Sequence, residues 1–173
     1  KGEIRITADG DVKVKEIVAP AGTVNITSRF GSLINGGSSP FFTANVANLT
    51  AAKDIGSARD DYDVKVTHLT LNVGGSFYVE SFADLETLNV VSKQAGNVKP
   101  NTYLLKGPKP VKGQPPAFEF NVKDAGTNYM ITRVSDVTGL NFSFQGDETI
   151  QVGVINVGAK SVSLTSTLGQ ITD

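Results

Sequence analysis

The sequence predicts an all-β protein, specifically a right-handed parallel β-helix in which each turn of the chain stacks on the previous one. Three observations support this prediction. The composition is rich in Val, Thr, Gly, Ser and Asn, with 18 glycines in 173 residues, and poor in helix formers. Branched side chains suit pleated strands, whereas Gly, Asn and Ser suit tight turns. Finally, parts of the chain resemble one another, and short apolar pairs recur about every 20 residues, as in a solenoid.

The clearest internal similarity aligns residues 12–35 with residues 150–173 without a gap. A third partial copy appears when residues 4–18 are set on residues 69–83. In both alignments the apolar positions coincide, and so do small turn residues. The matched positions in the first alignment include Val12 with Ile150, Val14 with Val152, Val24 with Val162, Phe30 with Leu168, Ser28 with Ser166, and Gly31 with Gly169.

The spacing of the apolar pairs predicts about seven or eight coils, which at roughly 4.8 Å per coil form a rod section about 35 Å long. Along a strand, alternate side chains point inward, so Val12 and Val14 are expected inside and Lys13 outside. The interior should be a dry stack of Val, Ile, Leu and Phe. The predicted pairs begin at Ile4, Val24, Val46, Leu69, Leu88, Phe118, Phe142 and Val162.

Residues 94–117 do not fit a minimal coil. This part of the chain holds five of the seven prolines, and proline cannot donate to a strand ladder. We therefore predict one β-helix segment over residues 1–173, from which residues 94–117 leave as a Pro/Lys-rich loop. The loop is either a tolerated insertion or a contact for an acidic glycan or a partner protein. Its candidate contact residues are Lys99, Tyr103, Lys106, Lys109 and Lys112.

A second, shorter departure from the repeat is the segment 38–42, which reads Ser-Ser-Pro-Phe-Phe. We expect it to form another protruding loop, held to the body of the protein by its aromatic residues.

Several kinds of chemistry are not expected. The chain has no cysteine, which excludes disulfides, thiolate nucleophiles and cysteine-ligated zinc. A net charge of −1 gives no reason to expect nucleic acid as a partner. No apolar run reaches the roughly 18 residues of a membrane-spanning helix. We expect no cofactor, no metal and no catalytic residue.

An enzyme remains the alternative, because some parallel β-helices are polysaccharide lyases or glycosidases. The densest acidic cluster is Asp54 with Asp60, Asp61 and Asp63. Catalysis would need carboxylates from neighbouring coils to converge on one wall, whereas adjacent residues such as Asp60 and Asp61 favour a solvated turn. The single histidine, His68, lies at a change of strand register and suits a structural hydrogen bond better than a catalytic base.

Three N-x-S/T sequons occur, at Asn25, Asn48 and Asn141. In a chain this rich in Asn, Ser and Thr, about that many arise by chance. The sequence therefore leaves glycosylation open.

The segment 49–81 carries a more specific pattern. It contains the turn Asp54-Ile55-Gly56-Ser57, a short strand, the Gly74-Gly75 turn and the aromatic strand Phe77-Tyr78-Val79. This pattern resembles the coils of secreted exoproteins of the filamentous-haemagglutinin type, including leukotoxin-like filamentous adhesins of Gram-negative bacteria.

The resemblance implies an internal shaft segment, because the Asn-Pro-Asn motifs of that family's secretion domain do not occur here. It implies export by two-partner secretion through an outer-membrane transporter, and a protein that is secreted or stays at the bacterial cell surface. The partner would then be a protein or glycan of a host or bacterial surface. The whole protein could be an adhesin, a toxin or a growth inhibitor, and the family has no shared catalytic residues to carry over.

Overall fold

A computed structural model describes residues 2–38, 41–93, 101–108, 118–124, 128–136, 139–158 and 160–173. Sixteen strands run through these described residues. The first nine are β1 (Glu3–Ala8), β2 (Val12–Val14), β3 (Ile17–Ser28), β4 (Leu33–Asn35), β5 (Phe42–Ala51), β6 (Tyr62–Lys65), β7 (His68–Val73), β8 (Phe77–Ser81) and β9 (Thr87–Ser92). The others are β10 (Thr102–Lys106), β11 (Phe118–Asp124), β12 (Asn128–Asp136), β13 (Asn141–Gly146), β14 (Thr149–Asn156), β15 (Val162–Ser166) and β16 (Ile171–Thr172).

The strands stack into a parallel β-solenoid of about seven turns, with about 21 residues in each turn, which confirms the predicted fold class. One side, here called wall A, consists of β1, β7, β9, β13 and β15 together with the C-terminal parts of β3 and β5. The next side, wall B, begins with β2 and β4 and continues through Ile55 to β8 and β10. A short third side stacks Ile17, Phe42, Val64 and Ser81.

The core forms as the alternation predicts. Val12 and Val14 are buried and Lys13 between them is exposed. In wall A, Val24 stacks on Ala47, which stacks on Leu69, and all three are fully buried. Each coil contributes only a few inward side chains, so its apolar surface leaves water only when the next coil covers it.

A repeated corner closes the coils where wall A ends, and it explains one of the internal similarities. The Ser28 hydroxyl donates to the carbonyl oxygen of Gly10 at 2.7 Å and accepts the N–H of Gly31 at 3.0 Å. Ser166 makes the corresponding bonds near the C-terminus, to the carbonyl of Glu148 at 2.8 Å and from the N–H of Gly169 at 2.9 Å. Each corner therefore ties one coil to the backbone of the previous coil.

The residue that precedes the glycine in each corner is apolar and exposed, namely Phe30 (70%) and Leu168 (86%). Both residues lie in the turn that follows a strand, since β3 ends at Ser28 and β15 ends at Ser166, so the inward alternation of the strand no longer applies to them. The equivalence of the two positions was correctly predicted, but neither residue belongs to the core.

The prediction of an extra coil at Phe118 is wrong. In wall A, Leu88 pairs directly with Phe142, without a strand between them. Phe118 instead begins β11, which runs antiparallel to both β10 and β12. Wall B thus contains two strands with no counterpart in wall A, and β14 then resumes parallel pairing on β12. At this level the insertion adds two strand spacings, or about 10 Å, to one side of the solenoid.

Aromatic rings fill the space that these inserted strands create. Phe120 is fully buried, and its ring centroid lies 5.7 Å from that of Phe77, 5.5 Å from Phe142 and 6.2 Å from Phe144. The hydroxyl of Tyr129 donates to Asp147 Oδ1 at 2.6 Å, and its oxygen lies 3.2 Å from the hydroxyl oxygen of Ser92. The insertion is therefore joined to the regular coils by both apolar and polar contacts.

Candidate functional site

Of the candidate contact residues predicted in the Pro/Lys-rich loop, the structure describes Tyr103 and Lys106. Thr102–Lys106 is a strand of wall B, paired in parallel with β8, so the prediction that this stretch leaves the wall is wrong. Tyr103 is fully buried and its hydroxyl lies 2.8 Å from that of Ser92, which corrects its proposed contact role. Lys99, Lys109 and Lys112 lie outside the described residues, as do 94–100 and 109–117 as a whole.

The prolines on both sides of this stretch indicate a loop, whereas the alternating Tyr103 and Leu105 between them indicate a strand. Those two buried residues are the signal that could have identified the strand. Lys106 is exposed and makes a 3.1 Å salt bridge with Asp61.

The acidic turn is held by hydrogen bonds. The Asn35 amide donates to Asp60 Oδ1 and to the carbonyl oxygen of Asp61, at 3.0 Å each. One carboxylate oxygen of Asp54 accepts the N–H of Ser76 at 2.7 Å. A cavity of about 290 Å³ next to the turn is lined partly by Asp54 and Asp60. Through these contacts the carboxylates of Asp54 and Asp60 join neighbouring coils at the corners.

Over the described ranges, no three His, Cys, Asp or Glu side chains gather where they could hold a metal ion. His68 is half-buried, and its Nδ1 lies 3.3 Å from the hydroxyl of Thr87 on the next coil. The register does change just before Leu69, as predicted, and His68 therefore faces outward beside Thr70.

The outer surface of wall A, here called the polar face, carries no Asp, Glu, Lys or Arg side chain over five successive coils. Their backbones are in register, so their side chains form rows along the solenoid, and neighbours within a row lie about 4.8 Å apart. Hydrogen bonds run along the rows, from Asn48 to Asn25 and from Ser143 to Asn89, each at 2.7 Å. The fifteen outward positions are Thr23, Asn25, Thr27, Val46, Asn48, Thr50, His68, Thr70, Asn72, Thr87, Asn89, Val91, Asn141, Ser143 and Gln145.

All three sequon asparagines lie on the polar face. Asn25 and Asn48 occupy neighbouring coils and their amides are directly hydrogen-bonded. The Asn141 side chain accepts a hydrogen bond from Ser161 at 2.9 Å. In the folded protein these amides therefore belong to the side-chain rows of wall A.

One row outside wall A consists of acidic and basic residues. Asp63, Glu80, Lys106 and Glu119 occupy successive partner positions across β6, β8, β10 and β11. The charge of the solenoid is therefore unevenly distributed around its axis.

A groove lies along the edge of the polar face, where wall A turns into the corner. The last paired residues of wall A on four successive coils are Ser28, Ala51, Val73 and Ser92. The residues that follow them in the chain form a further row. That row reads Arg29, Ala52, Gly74 and Lys93, two long cations separated by two small residues. Together with Thr27, Thr50 and Asn72 they line an open cavity of about 390 Å³, here called the corner groove.

Comparisons with protein-family profiles, with curated proteins and with solved structures find no match to this chain. Within the described part of the chain there is no helix long and apolar enough to cross a membrane.

Proposed function

We propose that this chain is a structural and adhesive shaft segment of a large bacterial exoprotein, either secreted or attached to the cell surface. In this role the solenoid is a stiff spacer that carries contact surfaces along its sides. The partners would be a surface protein or glycan and, during export, an outer-membrane two-partner transporter.

The observation that supports the proposal most directly is the continuous stack of hydrogen-bonded coils around one apolar core. Each coil in the stack contacts mainly its two neighbours, so more coils lengthen the rod without altering its cross-section. Stiffness follows because bending would separate β-ladder bonds on one side and compress close-packed side chains on the other. The sequence pattern of residues 49–81 is what suggests the exoprotein class.

The proposal is tested in the bacterium that encodes the chain, with antibodies raised against the folded segment. We expect labelling on the cell surface or in the medium of intact cells, and its loss when the partner transporter gene is deleted. Labelling that appears only after the cells are lysed would contradict the proposed export.

The competing hypothesis is a carbohydrate-active enzyme, and the cavity that Asp54 and Asp60 line gives it a specific place to be tested. The purified chain is incubated with a panel of polysaccharides, and new reducing ends and unsaturated uronates are measured over time. Saturable turnover that disappears in Asp54→Asn and Asp60→Asn would show that the chain is an enzyme and would contradict the shaft hypothesis. If turnover is not detected with any substrate, the shaft proposal stands against this rival.

A further inference from the structure

We propose that the corner groove binds an acidic sugar residue of a surface glycan, with its anionic group between Arg29 and Lys93. The inference rests on the adhesive part of the proposed function and adds to it a site and a ligand class.

The shape of the groove comes from the side-chain sizes in one row. Arg29 and Lys93 stand three coil spacings apart, or about 14 Å between their backbones. Between them Ala52 presents only a methyl group, and Gly74 presents none. A Cβ at Gly74 would collide with the carbonyl oxygen of Ala52, so the backbone packing itself keeps this position empty. The result is a depression two coils high with a flexible cation at each end.

The electrostatics of the groove favour an anion. None of the residues that line it is acidic. Arg29 forms a 3.2 Å ion pair with Asp9 at the outer end, where both side chains are well exposed and such a pair contributes little stability. The guanidinium has five N–H donors, so it can also bind a second, planar anion. Lys93 is exposed, and no salt bridge within the described residues involves it.

The polar face supplies the second half of the recognition. Thr27, Thr50 and Asn72 lie side by side on three successive coils and form one rim of the groove. Their hydroxyl and amide groups both donate and accept hydrogen bonds, as sugar hydroxyls require of a partner. An anionic group beside several hydroxyls describes a uronic acid or a sulfated sugar. A nucleic acid is a poorer fit, because it would need a longer basic path than two cations provide.

Binding is measured by isothermal titration calorimetry on the purified chain at low and at physiological salt. Three tetrasaccharides are compared: tetragalacturonate, sulfated cellotetraose and neutral cellotetraose. We expect at least one of the two acidic ligands to bind, more weakly as salt increases, and the neutral ligand to bind at least about tenfold more weakly. The stronger acidic ligand identifies carboxylate or sulfate as the preferred anion.

The variants separate charge from shape. Arg29→Gln and Lys93→Gln should each weaken binding by about tenfold, because each removes a charged hydrogen bond. Ala52→Gln should weaken it to a similar degree without changing any charge, since its side chain fills the depression. Asp9→Asn should strengthen binding by about two- to threefold, because Arg29 no longer has a competing carboxylate.

The matched controls are Lys13→Gln and Lys65→Gln, which remove exposed cations from other walls and should leave the affinity unchanged. Circular dichroism and thermal melting verify that every variant is folded. The inference is overturned if neither acidic ligand binds, if the neutral ligand binds equally well, or if the controls weaken binding as much as Arg29→Gln. Failure of the site with normal surface labelling would overturn this inference alone, whereas a chain found only inside cells would overturn the proposed function.

Discussion

Replacing Phe120 by Ala tests whether the aromatic cluster holds the inserted strands against the regular coils. Phe120 lies on β11, which has no counterpart in wall A, and its ring is fully buried. It stacks on Phe77 with an interplanar angle of 15° and also approaches Phe142 and Phe144. Losing this ring removes contacts to an earlier coil, through Phe77, and to the coil after the insertion, through Phe142 and Phe144.

The expected cost is about 3–5 kcal/mol in the free energy of unfolding, because a buried Phe→Ala change loses transfer energy and leaves a cavity. The cavity cannot collapse easily, since β10 and β12 keep their own ladder bonds on either side of β11. The matched control is Phe30→Ala, the same chemical change at an exposed corner, which should cost less than about 0.5 kcal/mol.

Urea unfolding followed by circular dichroism gives both values, with hydrogen exchange to locate the weakened strands. Exchange matters here because a repeat protein can unfold in parts, which a single transition would not reveal. We expect faster exchange at β10, β11 and β12. A cost below about 1 kcal/mol for Phe120→Ala, or an equal cost for Phe30→Ala, would refute the inferred role of the cluster.

Three further predictions concern the core, a corner and the acidic turn. Burial raises the pKa of Tyr62 above its ordinary value of 10.0, so the folded state holds a proton that the unfolded state releases, and stability should fall as the pH rises above about 10. Tyr62→Phe should reduce that loss of stability at high pH. It should not lower stability at pH 7, because the Tyr62 hydroxyl has no hydrogen-bond partner among the described residues. Urea unfolding at pH 7 to 11 checks both expectations, and an unchanged dependence of stability on pH would contradict the role of Tyr62. Gly31→Ala should lower the melting temperature, because its Cβ would lie 2.5 Å from the backbone nitrogen of Asp11. Gly10→Ala is the control and should leave the melting temperature unchanged, because the space around Gly10 is open. Equal melting temperatures for the two variants would contradict this account of the corner. Asn35→Ala removes the two hydrogen bonds to the acidic turn and should lower the free energy of unfolding by about 1–2 kcal/mol, measured by urea unfolding. An unchanged free energy of unfolding would show that these hydrogen bonds do not stabilise the turn.

The repeat was readable from the sequence because its causes are local. Inward alternation requires apolar residues at every second strand position, and the corner requires serine and glycine at a fixed spacing. Both appear in residues 12–35 and again in residues 150–173, which occupy equivalent parts of the solenoid. The fold class and the approximate number of coils followed from these patterns.

The inserted strands β11 and β12 could not be predicted from such local patterns. Phe118 and Phe120 alternate like any coil strand, and nothing in their spacing indicates an antiparallel partner. Strand direction depends on which edge is free when the chain returns, and here Leu88 pairs with Phe142 from a distant part of the chain. The prolines wrongly suggested a loop, because the strand Thr102–Lys106 between them makes its ladder hydrogen bonds without involving a proline.

The candidate site shows the same division. The corner groove could not be predicted from the sequence, because Arg29 and Lys93 lie far apart along the chain. The local density of lysines instead led to a predicted contact site in the Pro/Lys-rich segment.

The coil period, the inward residues and the corners follow from the amino-acid sequence alone, because they depend on side chains only a few positions apart. The tertiary structure decided which coils are neighbours, where the chain reverses direction, and that two cations share one groove with a row of hydroxyls. These depend on strand register between coils, and register is fixed only when the whole stack buries its core.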